Sequence, residues 1–203
     1  MSKLDNAIRK ISHGMYVLTT ENGGCIVDAV CQISGGEYPL ISVAVNKKNY
    51  TNELLHKNNK FAISIIGMKT NKDVISIYGF HSMREYDKFS NSSTEIVDGL
   101  NIIPDSIGYV ICDKVDMIEN ETHTLFIGRV TNGNILNEDQ EITYNYYREH
   151  KDEFIKVKTE NNKTVWICLI CGYVYYGEEL PQDFTCPQCG MGREVFRLKN
   201  GEV

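Results

Sequence analysis

The chain has 203 residues, 42% of them hydrophobic and 24% charged, with 21 basic against 27 acidic side chains and a formal net charge of −6. That length suits one domain of about 150 residues followed by a mini-domain. Residues 164–203 hold three basic and five acidic side chains and the rest hold eighteen and twenty-two, a mild acidic balance throughout that leaves no nucleic-acid face to expect.

No run of about 18 apolar residues appears, and the opening MSKLDNAIRK has no apolar signal core. The expectation is a soluble, cytoplasmic protein with no membrane partner. In a reducing compartment the seven cysteines serve as metal ligands or as small hydrophobes rather than as disulfides. Cys25, Cys31 and Cys112 stand outside any metal-binding spacing and are expected in the core.

Through residue 155, short β-type runs punctuated by Gly and Asn dominate and helical periodicity is scarce, which reads as an antiparallel barrel or sandwich. The predicted strands cover 15–20, 25–33, 39–46, 61–66, 107–115 and 122–132. Along 41–46 bulky and small side chains alternate, so Ile41, Val43 and Val45 face a core. Ser42, Ala44 and Asn46 then leave a face without large side chains, open to a flat ligand or to solvent. Next comes the run KKNYTNELL at 47–55, with Thr51 as the predicted N-cap of a short helix. A strand ending in Asn, Lys and Asn before a helix N-terminus offers side-chain donors and free N–H groups to an anion. An ordinary capped helix with exposed lysines has the same pattern. No Walker-type or dinucleotide glycine fingerprint is present.

Six segments, HGMYVLTT, DAVCQIS, PLISVAVNKKNYTNELL, FAISII, THTLFIGRV and ITYNYY, resemble in order and spacing the flavin reductase-like family of FMN-binding split barrels, across about residues 11–147. The resemblance implies a mainly β protein, an antiparallel Greek-key split β-barrel with short helices. It puts the flavin ring against Ala29, Val30 and Gln32 and the phosphate at Asn46, Lys47, Asn49 and Thr51. The segment GFHSMREYDKF at 79–89 is similar to the family's loop over the flavin, with Ser-Met-Arg at 82–84 in place of Ser-Gly-Arg. Lys88 keeps that loop's motif and is assigned to approach the reduced flavin, a solvated surface lysine being the alternative. His123 also matches the family and is the one catalytic candidate, a polar wall near the flavin or an incoming nicotinamide; a histidine bridging two strands is the alternative. The family completes its flavin site across a two-fold interface, which implies a homodimer.

The polar stretch KVKTENNK at 156–163 reads as a linker between a domain at 1–155 and one at 164–203. Eight residues reach at most about 26–29 Å.

The last segment carries Cys168-Leu169-Ile170-Cys171-Gly172 and Cys186-Pro187-Gln188-Cys189-Gly190, with fourteen residues between Cys171 and Cys186. Four thiolates around one metal suit zinc or a mononuclear iron. A glycine directly after each second cysteine lets the backbone turn at positive φ and aim N–H groups at sulfur. Chains below about 40 residues usually need such a metal to fold. Trp166, Tyr173, Tyr175, Tyr176, Phe184 and Phe196 are expected to be the core of this small, metal-bound domain.

Residues 166–196, WICLICGYVYYGEELPQDFTCPQCGMGREVF, resemble a rubredoxin in the short-spacing form found at the end of rubrerythrins. The resemblance implies one iron held by Cys168, Cys171, Cys186 and Cys189 and passing single electrons; a zinc ribbon has similar hooks. The two resemblances together are those of the high-molecular-weight rubredoxins of anaerobic bacteria. They imply an FMN- and iron-containing protein carrying electrons from a nicotinamide-linked reductase to flavodiiron proteins that reduce oxygen or nitric oxide. Two other readings stand beside it: a self-sufficient NAD(P)H:flavin or NAD(P)H:rubredoxin oxidoreductase, and a non-redox zinc-ribbon binding module.

Overall fold

The computed structural model describes residues 3–8, 10–154, 165–168, 173–187 and 190–199. The strands are β1 (Tyr16–Thr20), β2 (Gly23–Val27), β3 (Val30–Ser34), β4 (Leu40–Asn46), β5 (Lys60–Ile65), β6 (Glu95–Val97), β7 (Leu100–Ile102), β8 (Gly108–Glu119), β9 (His123–Ile135), β10 (Val165–Cys168), β11 (Val174–Tyr176) and β12 (Phe196–Lys199). The helices are α1 (Lys3–Ile8), α2 (Tyr50–Lys57), α3 (Asp73–Phe80), α4 (Tyr144–Glu149) and α5 (Lys151–Phe154).

Seven strands form one antiparallel sheet in the order β2-β1-β5-β8-β9-β4-β3. Its two edge strands are consecutive in sequence, joined only by Asp28 and Ala29. Such a short link forces the sheet to curl until its edges approach, and the Ala44 N–H donates to the Ala29 carbonyl at 3.1 Å, carrying the β3–β4 pairing into the link. The result is a barrel split between β2 and β3.

The single strand expected over 25–33 is therefore two. The Val30 N–H donates back to the Asp28 carbonyl at 3.0 Å, a tight turn that no ladder can continue through. Cys31, expected in the core, is exposed on the edge strand β3, whereas Cys25 and Cys112 are buried. The β8–β9 hairpin also runs beyond its predicted ends. Register shifts at Ile111/Cys112 and Lys114/Asp116 bend it, and bulges of this kind break the regular alternation that marks a strand in sequence.

Inside the barrel Leu18, Cys25, Val43, Val45, Phe61 and Phe126 pack together, closed at one end by Leu55 of α2. On the outer face of β1, Val17 and the preceding Met15 meet Ile75 and Tyr78 of α3, Tyr147 of α4 and Phe154 of α5. Both faces of β1 are thus covered, and its buried Thr19 and Thr20 hydroxyls donate to the Asn101 and Lys60 carbonyls. Each fully buried side chain of this size contributes about 1.5–3 kcal/mol. Gly128 of β9 sits where an added Cβ would lie 2.7 Å from the Cys112 Cβ, so only glycine lets these strands close on Phe61.

The C-terminal unit is a separate antiparallel sheet, β11-β10-β12. Phe196 is buried there, with Trp166, Tyr173, Tyr175 and Phe184 packed around it. Tyr176, expected among them, is 48% exposed, because it follows Tyr175 on one strand and so points to the opposite face. The expected linker at 156–163 lies outside the described residues. Among the described residues no helix is long and apolar enough to cross a membrane.

Candidate functional site

A cavity of about 560 Å³ opens beside the split in the barrel, within the range of small-molecule sites. Ile26, Val27 and Asp28 at the end of β2, Ile75, Tyr78, Gly79, Phe80, His81 and Ser82 from α3 and its exit, and Tyr144 and Tyr147 of α4 form its walls. Thr143 caps α4 by accepting from the Tyr146 N–H, and the i, i+3 spacing turns Tyr144 and Tyr147 to one side. Asn46, Lys48, Asn49 and Tyr50 make the polar end. Tyr173 and Pro187 of the C-terminal unit complete the lining.

The polar end is built by two asparagines. Asn46 Oδ1 accepts from the Lys48 N–H at 2.9 Å and Asn49 Oδ1 accepts from the Thr51 N–H at 3.0 Å. Asn49 is thus the N-cap of α2, where Thr51 was expected. Asn caps at least as well as Thr, and Thr51 lies one residue into the helix, buried at 1% exposure. Of the phosphate candidates, Asn46 and Asn49 line the cavity. Lys47 turns away to Glu119 at 2.7 Å, and the Lys47 ammonium, with Thr124, holds the Glu119 carboxyl below its ordinary value.

Ala29, Val30 and Gln32 follow Asp28 out of the cavity into β3. Val30 pairs with Val43 of β4 and packs on the barrel core, while Gln32 is exposed and donates to the Ser34 carbonyl at 3.1 Å. His123 sits opposite Asn46 across β4 and β9, with Nδ1 2.8 Å from Thr122 Oγ1. Lys88 is not the surface lysine of the alternative reading: at 2% exposure its Nζ donates to the carbonyls of Gly24 at 2.8 Å and Tyr78 at 3.0 Å. Burial lowers its pKa to about 8. The loop it anchors closes on α2 through Arg84, which lies over the Tyr50 ring at 4.4 Å and pairs with Glu53. His81, at the mouth, is pushed below its ordinary value by burial and then by Lys88.

Aromatic and aliphatic walls leading to a polar turn at a helix N-terminus match a flat ring carrying an anionic tail, so the residues present fit a flavin. Lys48, Tyr50, Tyr78 and the pair Tyr144 and Tyr147 escaped sequence reasoning as lining residues. The Lys-Lys and Tyr-x-x-Tyr patterns were visible, but their direction was not.

In the C-terminal unit Cys168 and Cys186 are buried at 0% and 1% exposure. The Cys168 N–H donates to the Tyr173 carbonyl at 2.9 Å and the Cys186 N–H to the Met191 carbonyl at 2.8 Å, each tying a hook into a hairpin. Gly190 turns at φ +73° and donates its N–H to the Cys186 carbonyl at 2.9 Å, as the spacing requires. Cys171 and Cys189 lie outside the described residues, and among the described residues no three His, Cys, Asp or Glu side chains are grouped to hold a metal. One buried sulfur in each of two tied hairpins fits a four-thiolate site.

Residues 8–154 match the flavin reductase like domain and residues 166–197 the rubrerythrin, rubredoxin-like domain. The chain is 30% identical, over 94% of its length and 97% of the relative's, to a high molecular weight rubredoxin of Moorella thermoacetica. It is 29% identical, over 79% of its length and 95% of the relative's, to a ferric-chelate reductase (NAD(P)H) of Archaeoglobus fulgidus. Among solved structures, the flavin reductase PheA2 superposes with a TM-score of 0.59 at 27% identity, over 70% of this chain and 93% of that one. A flavin reductase-like domain and a rubredoxin-like domain are thus joined in one chain, which belongs to the flavin reductase-like family in the fused form of the high-molecular-weight rubredoxins.

Proposed function

We propose that this chain receives electrons from a nicotinamide-linked reductase and passes them through FMN and an Fe(Cys)4 centre to a terminal acceptor such as a flavodiiron oxygen or nitric oxide reductase. One observation carries the reading: the cavity of the barrel is walled in part by Tyr173 and by Pro187, the residue next to the buried Cys186. A flavin there has the metal hook as its neighbour.

Asn46 and Asn49, which line the cavity at the N-terminus of α2, would bind the phosphate. The ring would lie by the break at Asp28, with Ala29, Val30 and Gln32 beyond it toward β3, and Lys88 would hold the covering loop in place. Cys168, Cys171, Cys186 and Cys189 would bind the iron. When bound, a flavin takes a hydride as two electrons and a four-thiolate iron passes them one at a time. The aromatic walls would exclude water, and His123 remains the catalytic candidate, as a polar wall near the flavin or an incoming nicotinamide.

The domains are read as 1–155 and 164–203 joined by 156–163. The edge strand β3, with Ile33 49% and the nearby Tyr38 60% exposed, supports a homodimer, because an open edge with apolar side chains needs a cover. Seven cysteines without a disulfide among the described residues suit the cytoplasm.

Similarity to a ferric-chelate reductase (NAD(P)H) favours a second reading, direct reduction by NAD(P)H. Anaerobic stopped-flow mixing with NADH, with and without a separate reductase, decides between them: fast bleaching of the flavin by NADH alone is the result that defeats the carrier reading. Stoichiometric zinc after expression in iron-replete medium defeats both.

A further inference from the structure

Two adjacent lysines leave the polar turn in opposite directions. Lys47 is committed to the barrel: its N–H donates to the Thr122 carbonyl at 3.0 Å and its Nζ meets Glu119 at 2.7 Å. Lys48 is fixed at its backbone by Asn46 Oδ1 at 2.9 Å, and its exposed side chain lines the cavity. It then reaches Gly190 of the second hook, where Nζ occupies the space that a Cβ would need. Among the described residues Lys48 forms no salt bridge.

We propose that Lys48 is the clasp that seats the metal-binding domain on the flavin cavity, an ammonium held between the two redox sites. This deepens the reading of those sites as flavin and iron–thiolate centres and rests on it. Four thiolates outweigh the charge of ferric or ferrous iron, so the centre is anionic in both states and more so when reduced. An adjacent ammonium therefore attracts the domain and favours the reduced iron. Gly190 serves the clasp in two ways. Its φ of +73° suits glycine, and its missing Cβ admits the lysine. Lys48 is thus a positioning residue for the step in which one electron passes from reduced flavin to ferric iron, which becomes ferrous, with a flavin proton released to solvent. A second electron follows once the external acceptor has reoxidised the iron.

The test uses the full chain loaded with flavin and iron, comparing wild type, Lys48→Gln, Lys48→Arg and, as control, Lys57→Gln, an exposed lysine in the last turn of α2. Lys48→Gln should slow flavin-to-iron transfer about tenfold at low salt, and wild type should fall to the same rate near 1 M salt, where the screening length is about 3 Å. The iron potential should drop, by up to about 59 mV for a tenfold change in a one-electron equilibrium. Lys48→Arg should restore rate and potential, and Lys57→Gln should change neither. A second measurement needs neither turnover nor flavin: X-ray scattering from the zinc-loaded chain should show a compact wild type that extends in high salt, and a Lys48→Gln protein extended throughout.

Unchanged rate, potential and scattering in Lys48→Gln would overturn the clasp. Weakened flavin affinity alone, with rate and potential unchanged at saturating flavin, would overturn it too and make Lys48 a phosphate ligand. A wild type that takes up zinc but no iron or flavin would instead sink the reading of the sites, and the scattering arm would still test the clasp, since a zinc–thiolate centre is also anionic.

Discussion

Lys88 Nζ donates to the Gly24 carbonyl at 2.8 Å from a site only 2% exposed, joining the loop over the cavity to the barrel strand beneath it. A second bond, to the Tyr78 carbonyl at 3.0 Å, ties the same ammonium to α3. One side chain therefore fixes both walls of the cavity mouth.

Burial lowers the Lys88 pKa from 10.5 to about 8. Between these values the unfolded chain holds the proton and the folded chain does not, so stability linked to Lys88 rises with pH across that window and is lowest below pH 8. Lys88→Met abolishes the dependence. From about pH 7.5 to about 9.5, wild type should gain roughly 2 kcal/mol on the variant in denaturant unfolding. Parallel pH profiles would show that the lysine is not titrating in this window.

Asn49→Ala removes the cap of α2 and a polar group lining the cavity. Unfolding free energy should fall by about 1 kcal/mol. Flavin affinity should fall further, by roughly tenfold, as for a lost hydrogen bond to a charged group; iron content should not change. Fluorescence titration with FMN and metal analysis check both.

Arg84 closes the loop from an exposed position, through the Tyr50 ring and Glu53. Exposed pairs are worth about 0.2–1 kcal/mol, so Arg84→Ala should barely alter stability. Flavin dissociation should quicken a few-fold and lose its salt sensitivity, measured by dilution in stopped flow. An unaltered off-rate would mean that the loop is held by Lys88 alone.

Cys168→Ser should abolish iron binding and unfold the small sheet around it, since metal binding supplies folding free energy in domains of this size. Trp166, whose Nε1 donates to the Gly177 carbonyl at 3.2 Å, reports the loss as increased fluorescence when the iron quencher goes. The flavin should still be reducible, while electron delivery to an external one-electron acceptor collapses. Equal delivery by wild type and variant would make the iron domain a docking or structural element.

Local chemistry made much of this legible in the sequence. Alternation marked Val43 and Val45 as core, since strand geometry sends successive side chains to opposite faces. Hook spacing announced the turn that Gly190 makes, because a positive φ is available cheaply only to glycine. What tertiary structure alone decided are directions and meetings. Nothing local separates Lys47 from Lys48; Glu119, on the far strand β8, draws one away and leaves the other facing the second hook. Lys88 has the composition of a surface residue and becomes buried because two carbonyls from distant elements converge on its ammonium. The break at Asp28 arises because the sheet must close on itself, a long-range demand that the apolar run across 25–33 does not record. Periodicity and turn chemistry act over a few residues, whereas the cavity forms where β2, α2, α3, α4 and the C-terminal unit meet.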